Sequence, residues 1–85
     1  MHYENIKQMK ILLTGATGFL GFRTLEKLVE IENVENIVAN GRNLKSGHTV
    51  TDKKIDYQLG ELSDKDLVTR LVKNIDIIIH VAALS

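Results

Sequence analysis

Three glycines between a strand pattern and a helix pattern restrict the folds open to this chain of 85 residues more than any other part of its sequence. Residues 14–21 contain them at the spacing G-x-x-G-x-x-G. The apolar run before them, residues 10–14, is typical of a strand buried on both faces of a parallel sheet. After them, apolar residues recur at intervals of three and four, which predicts an amphipathic helix over residues 19–31. Backbone amides at such a strand-to-helix turn are placed to bind a phosphate.

Each glycine of this turn has an expected role. Gly15 turns the chain off the strand, Gly18 leaves room for a pyrophosphate, and Gly21 lets the helix pack closely on the strand. The alternative is a glycine-rich turn that only caps a helix. Phe22 follows the last glycine where a P-loop requires lysine, so the segment is not a P-loop.

The remaining elements alternate in type along the chain. Apolar residues 36–40 predict a second strand, residues 41–54 a polar loop, and alternating residues 55–59 a third strand near an edge. Ser63 and Asp66 resemble a capping box that starts a second helix over residues 64–73, and the β-branched residues 75–81 predict a fourth strand. The order β-α-β-β-α-β predicts an α/β fold with a parallel sheet, strand order 3-2-1-4, and helices on opposite faces.

One helix on each face would leave the fourth strand partly uncovered unless another strand followed it. Residues 1–85 are therefore expected to be a fragment, the N-terminal half of a nucleotide-binding domain.

Composition excludes several classes of function. Eleven basic and eleven acidic residues give a net charge of zero, which argues against a nucleic-acid partner. The absence of cysteine excludes disulfides and thiolate metal sites, and fits a cytoplasmic location. Apolar runs are too short to span a membrane. His2 and His48 are expected in flexible segments with no spaced partner, so no metal site is predicted.

Three segments in order, residues 14–21, 60–64 and 80–83, resemble the extended short-chain dehydrogenase/reductase superfamily in its NAD-dependent epimerase/dehydratase branch. The resemblance covers about residues 10–85 and implies a partial Rossmann-type domain. It implies that a nicotinamide dinucleotide is contacted by residues of all three segments. By this resemblance the diphosphate is contacted by Thr17, Gly18, Phe19 and Leu20, and the adenine by Glu61 and Leu62. The third segment contributes Val81, Ala82 and Ala83 to the cofactor site, and its two alanines line the ribose.

Of the two adenine positions, one departs from the family pattern and the other has an alternative role. Glu61 stands where the family has aspartate, and its longer side chain changes the hydrogen bond expected with the adenine. Leu62 is expected to pack on the adenine face, and the alternative is an ordinary core leucine.

The residues after the second strand bear on the choice of nucleotide. NAD-preferring sites usually place a carboxylate there, about 20 residues beyond the glycines, and this chain has Asn40-Gly41-Arg42-Asn43 instead. Arg42 is expected to bind a 2′-phosphate, which favours NADP over NAD. The alternative is that Arg42 is a solvated loop residue.

The family resemblance implies hydride transfer between the nicotinamide and a small-molecule substrate, as in a reductase, a dehydrogenase, or a sugar epimerase or dehydratase. The family's catalytic Tyr-x-x-x-Lys and hydroxyl residue match nothing in this chain, so no catalytic residue is assigned and the chain alone is expected to be inactive. A histidine at the end of a strand, as His80 is, more often has a structural role. Two alternatives remain: a non-catalytic dinucleotide sensor, and a small binding domain that self-associates through its fourth strand.

Overall fold

A computed structural model describes residues 7–81 and contains a single parallel sheet flanked by helices. The elements are β1 (Met9–Thr14), α1 (Phe19–Leu28), β2 (Val34–Asn40), β3 (Ile55–Tyr57), α2 (Lys65–Leu71) and β4 (Ile77–His80). The strands lie in the order β3-β2-β1-β4, and every pairing is parallel. The predicted Rossmann-type α/β class and strand order are confirmed. Within residues 7–81, neither helix has the length and apolar character needed to cross a bilayer.

The two helices cover opposite faces of the sheet because successive side chains of the central strands alternate in direction. Leu13 and Ile37, both fully buried, pack in one cluster with Leu25 of α1. Leu12, which precedes Leu13 in β1, points to the opposite face of the sheet and packs there with Leu67 of α2. The prediction of helices on opposite faces is therefore confirmed.

The edge strand β4 is less covered than the central strands. Ile78 is 57% exposed, whereas its neighbour in the sheet, Leu12, is buried. The predicted uncovered edge is present.

Some predicted boundaries are wrong for identifiable reasons. Helix α1 ends at Leu28 rather than near residue 31. The amides of Glu30 and Ile31 bond to carbonyls three residues back instead of four, and the Lys54 ammonium donates to the carbonyls of Val29 and Ile31 (3.1 and 2.9 Å). Strand β3 ends at Tyr57 rather than residue 59. The side-chain amide of Asn40 donates to the next carbonyl, that of Gln58, at 2.8 Å, so this carbonyl has a side-chain donor.

The predicted capping box at the start of α2 is also wrong. Asp64 is the N-cap, and its carboxylate accepts hydrogen bonds from the amides of Asp66 and Leu67 at 3.0 and 3.2 Å. Ser63 lies one residue before the cap. The helix starts at Lys65, one residue later than the prediction.

Candidate functional site

A cleft of about 840 Å³ lies at the carboxyl ends of the strands. Strands β2 and β3 lie on one side of β1, and β4 lies on the other side. The chain connections therefore leave β1 in opposite directions, which makes the carboxyl end of β1 a topological switch point. Ligands of open α/β sheets bind at such a switch point. All predicted site residues that the structure describes line the cleft: Gly15, Thr17, Gly18, Phe19, Leu20, Gly21, Arg42, Glu61, Leu62 and Val81. Ala82 and Ala83 lie outside the described residues.

Two of the three glycines in the β1–α1 turn are required by the protein itself. Gly15 has a φ of +73°, a conformation that side chains disfavour, and a Cβ there would overlap the carbonyl oxygen of Val81. A Cβ at Gly21 would overlap the carbonyl oxygen of Gly15, because α1 packs closely on the backbone at the end of β1. The expected turning and packing roles of these two glycines are confirmed.

Gly18 differs from the other two. Its backbone is extended, with φ −80° and ψ 174°, and a Cβ built there would come no closer than 3.8 Å to its nearest neighbour, the carbonyl oxygen of Gly15. Any residue can adopt this conformation, and the space is free. Neither backbone conformation nor packing within residues 7–81 requires a glycine at this position.

The N-termini of the two helices are treated differently. Helix α2 has the Asp64 carboxylate on its first amides and Asp66 in its first turn. The N-cap of helix α1 is Gly18, which has no side chain, and the first turn of this helix contains no acidic residue. Gly18 and the first turn of α1 line the cleft, and no side chain in the described part of the chain caps the N-terminal amides of this helix.

Asn40 closes the floor of the cleft and was not singled out by the sequence as a structural residue. It is 2% exposed, and its side-chain amide donates to the carbonyls of Gln58 (2.8 Å) and Gly60 (3.3 Å). These bonds join the ends of β2 and β3. A carboxylate at position 40 has no proton to donate, so the amide is needed to satisfy both carbonyls.

Gly41 is a second cleft residue whose structural role has no signal in the sequence. A Cβ at this position would overlap the side chain of Thr17, which is itself 7% exposed. The end of β2 therefore packs directly against the β1–α1 turn. The amide of Gly60 donates to the carbonyl of Gly41 at 2.9 Å, which brings the start of the β3–α2 loop to the same place.

Arg42 and Glu61 face each other across the open side of the cleft. The guanidinium Nε and a carboxylate oxygen are 3.7 Å apart, and both side chains are mostly exposed. Leu62, next to this pair, is 44% exposed. The alternative that Leu62 is an ordinary core leucine is therefore wrong.

His80 lies at the end of β4, beside the end of β1. Its ring Nδ1 shares a hydrogen bond with the hydroxyl of Thr14, and the amide of the following residue, Val81, donates to the Thr14 carbonyl at 3.1 Å. Both bonds attach the end of β4 to β1 at the floor of the cleft.

The loop between β2 and β3 is ordered by contacts that its sequence does not reveal. His48 stacks on the ring of Phe22, with centroids 5.2 Å apart, and meets the ring of Phe19 edge-on at 5.7 Å. The Tyr57 hydroxyl donates to the carbonyl of Val50 at 2.8 Å and accepts from its amide. His48, which the sequence places in a polar loop, therefore contacts α1 through both phenylalanine rings.

A model of the NAD dependent epimerase/dehydratase family matches residues 11–85 of this chain. The chain is 32% identical over 82 residues to UDP-glucose 4-epimerase of Neisseria meningitidis serogroup B, an alignment that covers 88% of this chain and 24% of that protein. The chain thus spans about a quarter of the length of this relative.

Solved structures share the fold. The structure of Pen from Bacillus thuringiensis superposes with a TM-score of 0.76 at 25% identity, over 95% of this chain and 27% of the other. The Bordetella bronchiseptica enzyme WbmH, solved in complex with NAD+, gives a TM-score of 0.76 at 23% identity, over 92% of this chain and 27% of that one. At this identity the second likeness concerns the fold alone.

Proposed function

We propose that this chain, which belongs to the NAD dependent epimerase/dehydratase family, forms the N-terminal half of a nicotinamide dinucleotide-binding domain and holds the cofactor's diphosphate at the β1–α1 turn. In the intact protein this cofactor would exchange a hydride with a carbon of a small-molecule substrate. The transfer would be net in a reductase or dehydrogenase and transient in a sugar epimerase or dehydratase.

Gly18 is the observation that carries this proposal. Gly15 and Gly21 are explained by contacts within the protein, but Gly18 has free space where its Cβ would lie. A glycine that the fold does not require is explained if a ligand approaches the backbone at that residue so closely that a side chain would block it. A pyrophosphate that approaches the amides of the first helical turn meets that requirement.

The electrostatics of the two helices support the same assignment. Asp64 satisfies the N-terminal amides of α2, whereas α1 presents its N-terminus to the cleft without a side-chain cap. An anion at a helix N-terminus is stabilised by about 0.3–1 kcal/mol through the dipole, and more where the site is partly buried. Hydrogen bonds from the amides to a charged phosphate contribute about 1.5–3 kcal/mol each.

For the nucleotide, we propose a preference for NADP over NAD. Asn40 supplies an amide where NAD-preferring proteins place a carboxylate, and that amide is occupied by two backbone carbonyls. Nothing at that residue repels a 2′-phosphate. Arg42 and Lys45 both line the cleft and provide positive charge there.

The ion pair between Arg42 and Glu61 does not prevent this use of Arg42. Exposed ion pairs contribute only about 0–1 kcal/mol, and both side chains here are mostly exposed. A two-pronged contact from the guanidinium to a phosphate involves charge-assisted hydrogen bonds of about 1.5–3 kcal/mol each. The guanidinium therefore gains more from the phosphate than it loses by leaving Glu61.

Calorimetry on the intact protein tests the proposal. NADP+ and NAD+ are titrated into the wild type, Arg42→Ala and Lys53→Ala. Both substitutions remove one positive charge from the same loop, but Lys53 does not line the cleft. We expect the wild type to bind NADP+ about 10- to 100-fold more tightly than NAD+, and Arg42→Ala alone to lose most of that difference. Tighter binding of NAD+ would refute the NADP preference, and binding of neither would refute the site.

The chemistry of the intact protein is tested separately with UDP-glucose as the probe, since that sugar nucleotide is in the name of a relative. If the intact protein is of the epimerase type, nuclear magnetic resonance will show conversion of the glucose moiety to its C4 epimer. No conversion in the presence of dinucleotide would refute this form of the proposal and favour a different substrate.

A further inference from the structure

We propose that His48 is a positioning residue of the dinucleotide site: its stack on α1 fixes the β2–β3 loop so that Lys45 stands at the mouth of the cleft and strengthens the preference for a 2′-phosphate. The inference rests on the proposed function, because it names a further residue that determines the specificity of the same site. His48 itself lines the cleft, but the proposed effect acts through Lys45 rather than through a contact of His48 with the dinucleotide.

His48 contacts the first turn of α1 through two aromatic rings. The imidazole lies nearly parallel to the ring of Phe22, with 21° between the planes, and at 64° to the ring of Phe19. Aromatic pairs with centroids about 4.5–7 Å apart contribute beyond their buried area. Phe19 itself lines the cleft, so the loop is attached to the wall of the site.

Hydrogen bonds connect the backbone of His48 and the next residue to Lys45. The amide of His48 donates to the carbonyl of Lys45 at 3.0 Å, and the Thr49 hydroxyl donates to the same carbonyl at 2.9 Å. Gly47, at the tip of this turn, has a φ of +81°. The turn is therefore closed on itself, and the ring of His48 fixes the backbone of Lys45 with it.

The stacked position of His48 has an energetic cost. The Nδ1 atom of His48 is buried and has no hydrogen-bond partner among residues 7–81. Burial of an unpaired polar atom is unfavourable, so the contacts of the ring with Phe19 and Phe22 must offset that cost. A phenylalanine at position 48 would retain the stack without an unpaired nitrogen, and it supplies the matched variant for a test.

The experiment measures affinity for NADP+ and NAD+ by calorimetry on the intact protein, for the wild type, His48→Ala, His48→Phe, Lys45→Ala and the double variant His48→Ala/Lys45→Ala. We expect His48→Ala to reduce the ratio of the NADP+ and NAD+ affinities about tenfold, while NAD+ affinity stays within about twofold. His48→Phe should keep the wild-type ratio. Lys45→Ala should lower the ratio as His48→Ala does, and the double variant should lower it no further.

The outcomes separate this inference from the proposed function. If the wild type prefers NADP+ but His48→Ala keeps the wild-type ratio, the positioning role is refuted and the dinucleotide site stands. Equal losses of both affinities in His48→Ala would show a general structural role and also overturn the inference. Additive effects of the two substitutions would mean that His48 does not act through Lys45. If the wild type binds neither dinucleotide, it is the proposed function that fails.

Discussion

Substitution of Gly18 by alanine should weaken dinucleotide binding without weakening the fold. The backbone of Gly18 is extended and a Cβ there would be 3.8 Å from its nearest neighbour, so alanine fits without strain. Replacement of glycine at a compatible position stabilises a protein by about 0.4–1 kcal/mol through the unfolded state. The added methyl group stands where the phosphate must approach. Loss of one amide-to-phosphate hydrogen bond, about 1.5–3 kcal/mol, raises the Kd about 10- to 150-fold.

Gly21→Ala is the matched control, since it adds the same methyl group three residues along the chain. There the Cβ would lie within 3.0 Å of the Gly15 carbonyl oxygen and of the Cα of Ala16, which are backbone atoms that cannot rotate away. Overpacking of this kind costs about 1–3 kcal/mol or more, so Gly21→Ala should lower the free energy of unfolding.

Two assays on the intact protein give the comparison. Chemical denaturation without ligand measures the free energy of unfolding, and calorimetry with NADP+ measures the Kd. Wild-type affinity in Gly18→Ala would refute the placement of the diphosphate. Destabilisation of Gly18→Ala as large as that of Gly21→Ala would show that Gly18 is a packing glycine, and the argument from its free space would fail.

Three further substitutions test the structural basis of the site by chemical denaturation. Asp64→Ala removes the N-cap of α2 and should lower the free energy of unfolding by about 0.5–2 kcal/mol. Asn40→Asp replaces the donor to the carbonyls of Gln58 and Gly60, and should cost about 1–3 kcal/mol because both part-buried acceptors lose their side-chain donor; wild-type stability would contradict that role. A hydrogen bond from Lys7 holds the pKa of the Asp76 carboxyl below its usual value of 3.8, so its ionised form stabilises the fold above that pH. The stability advantage of the wild type over Asp76→Asn should therefore be present at neutral pH and disappear as the pH falls from about 3.8 through the lowered folded value; an advantage that grows in acid would contradict it.

The fold could be predicted from the sequence because its elements have clear periods. The continuous apolar run of residues 10–14 indicates a strand, and the three- and four-residue spacing after it indicates a helix. The alternation of strands and helices then limits the order of the strands in the sheet. The strand order and the faces of the helices follow from these patterns. The glycine turn could also be located, because its position between strand and helix is itself part of the pattern.

The rest depended on contacts between residues far apart in the sequence. Residues 41–54 have no hydrophobic period, so the packing of His48 on Phe22 leaves no sequence signal. Asn40 looks like the residue at a nucleotide-selecting position, but its side chain also joins two strands, and only the geometry of the carbonyls reveals this. At α2, Ser63 and Asp64 are both good N-caps, and residue preference at the cap position does not choose between them.

The central claim is that the amides of the β1–α1 turn bind the bridging phosphates of a dinucleotide. Amide chemical shifts of the isotopically labelled intact protein, recorded while NADP+ is added, test it most directly. If these amides bind the phosphates, the largest shifts will occur at the amides of residues 18–21, and inorganic pyrophosphate will cause smaller shifts of the same amides. Binding of NADP+ with unchanged shifts at these amides would contradict it.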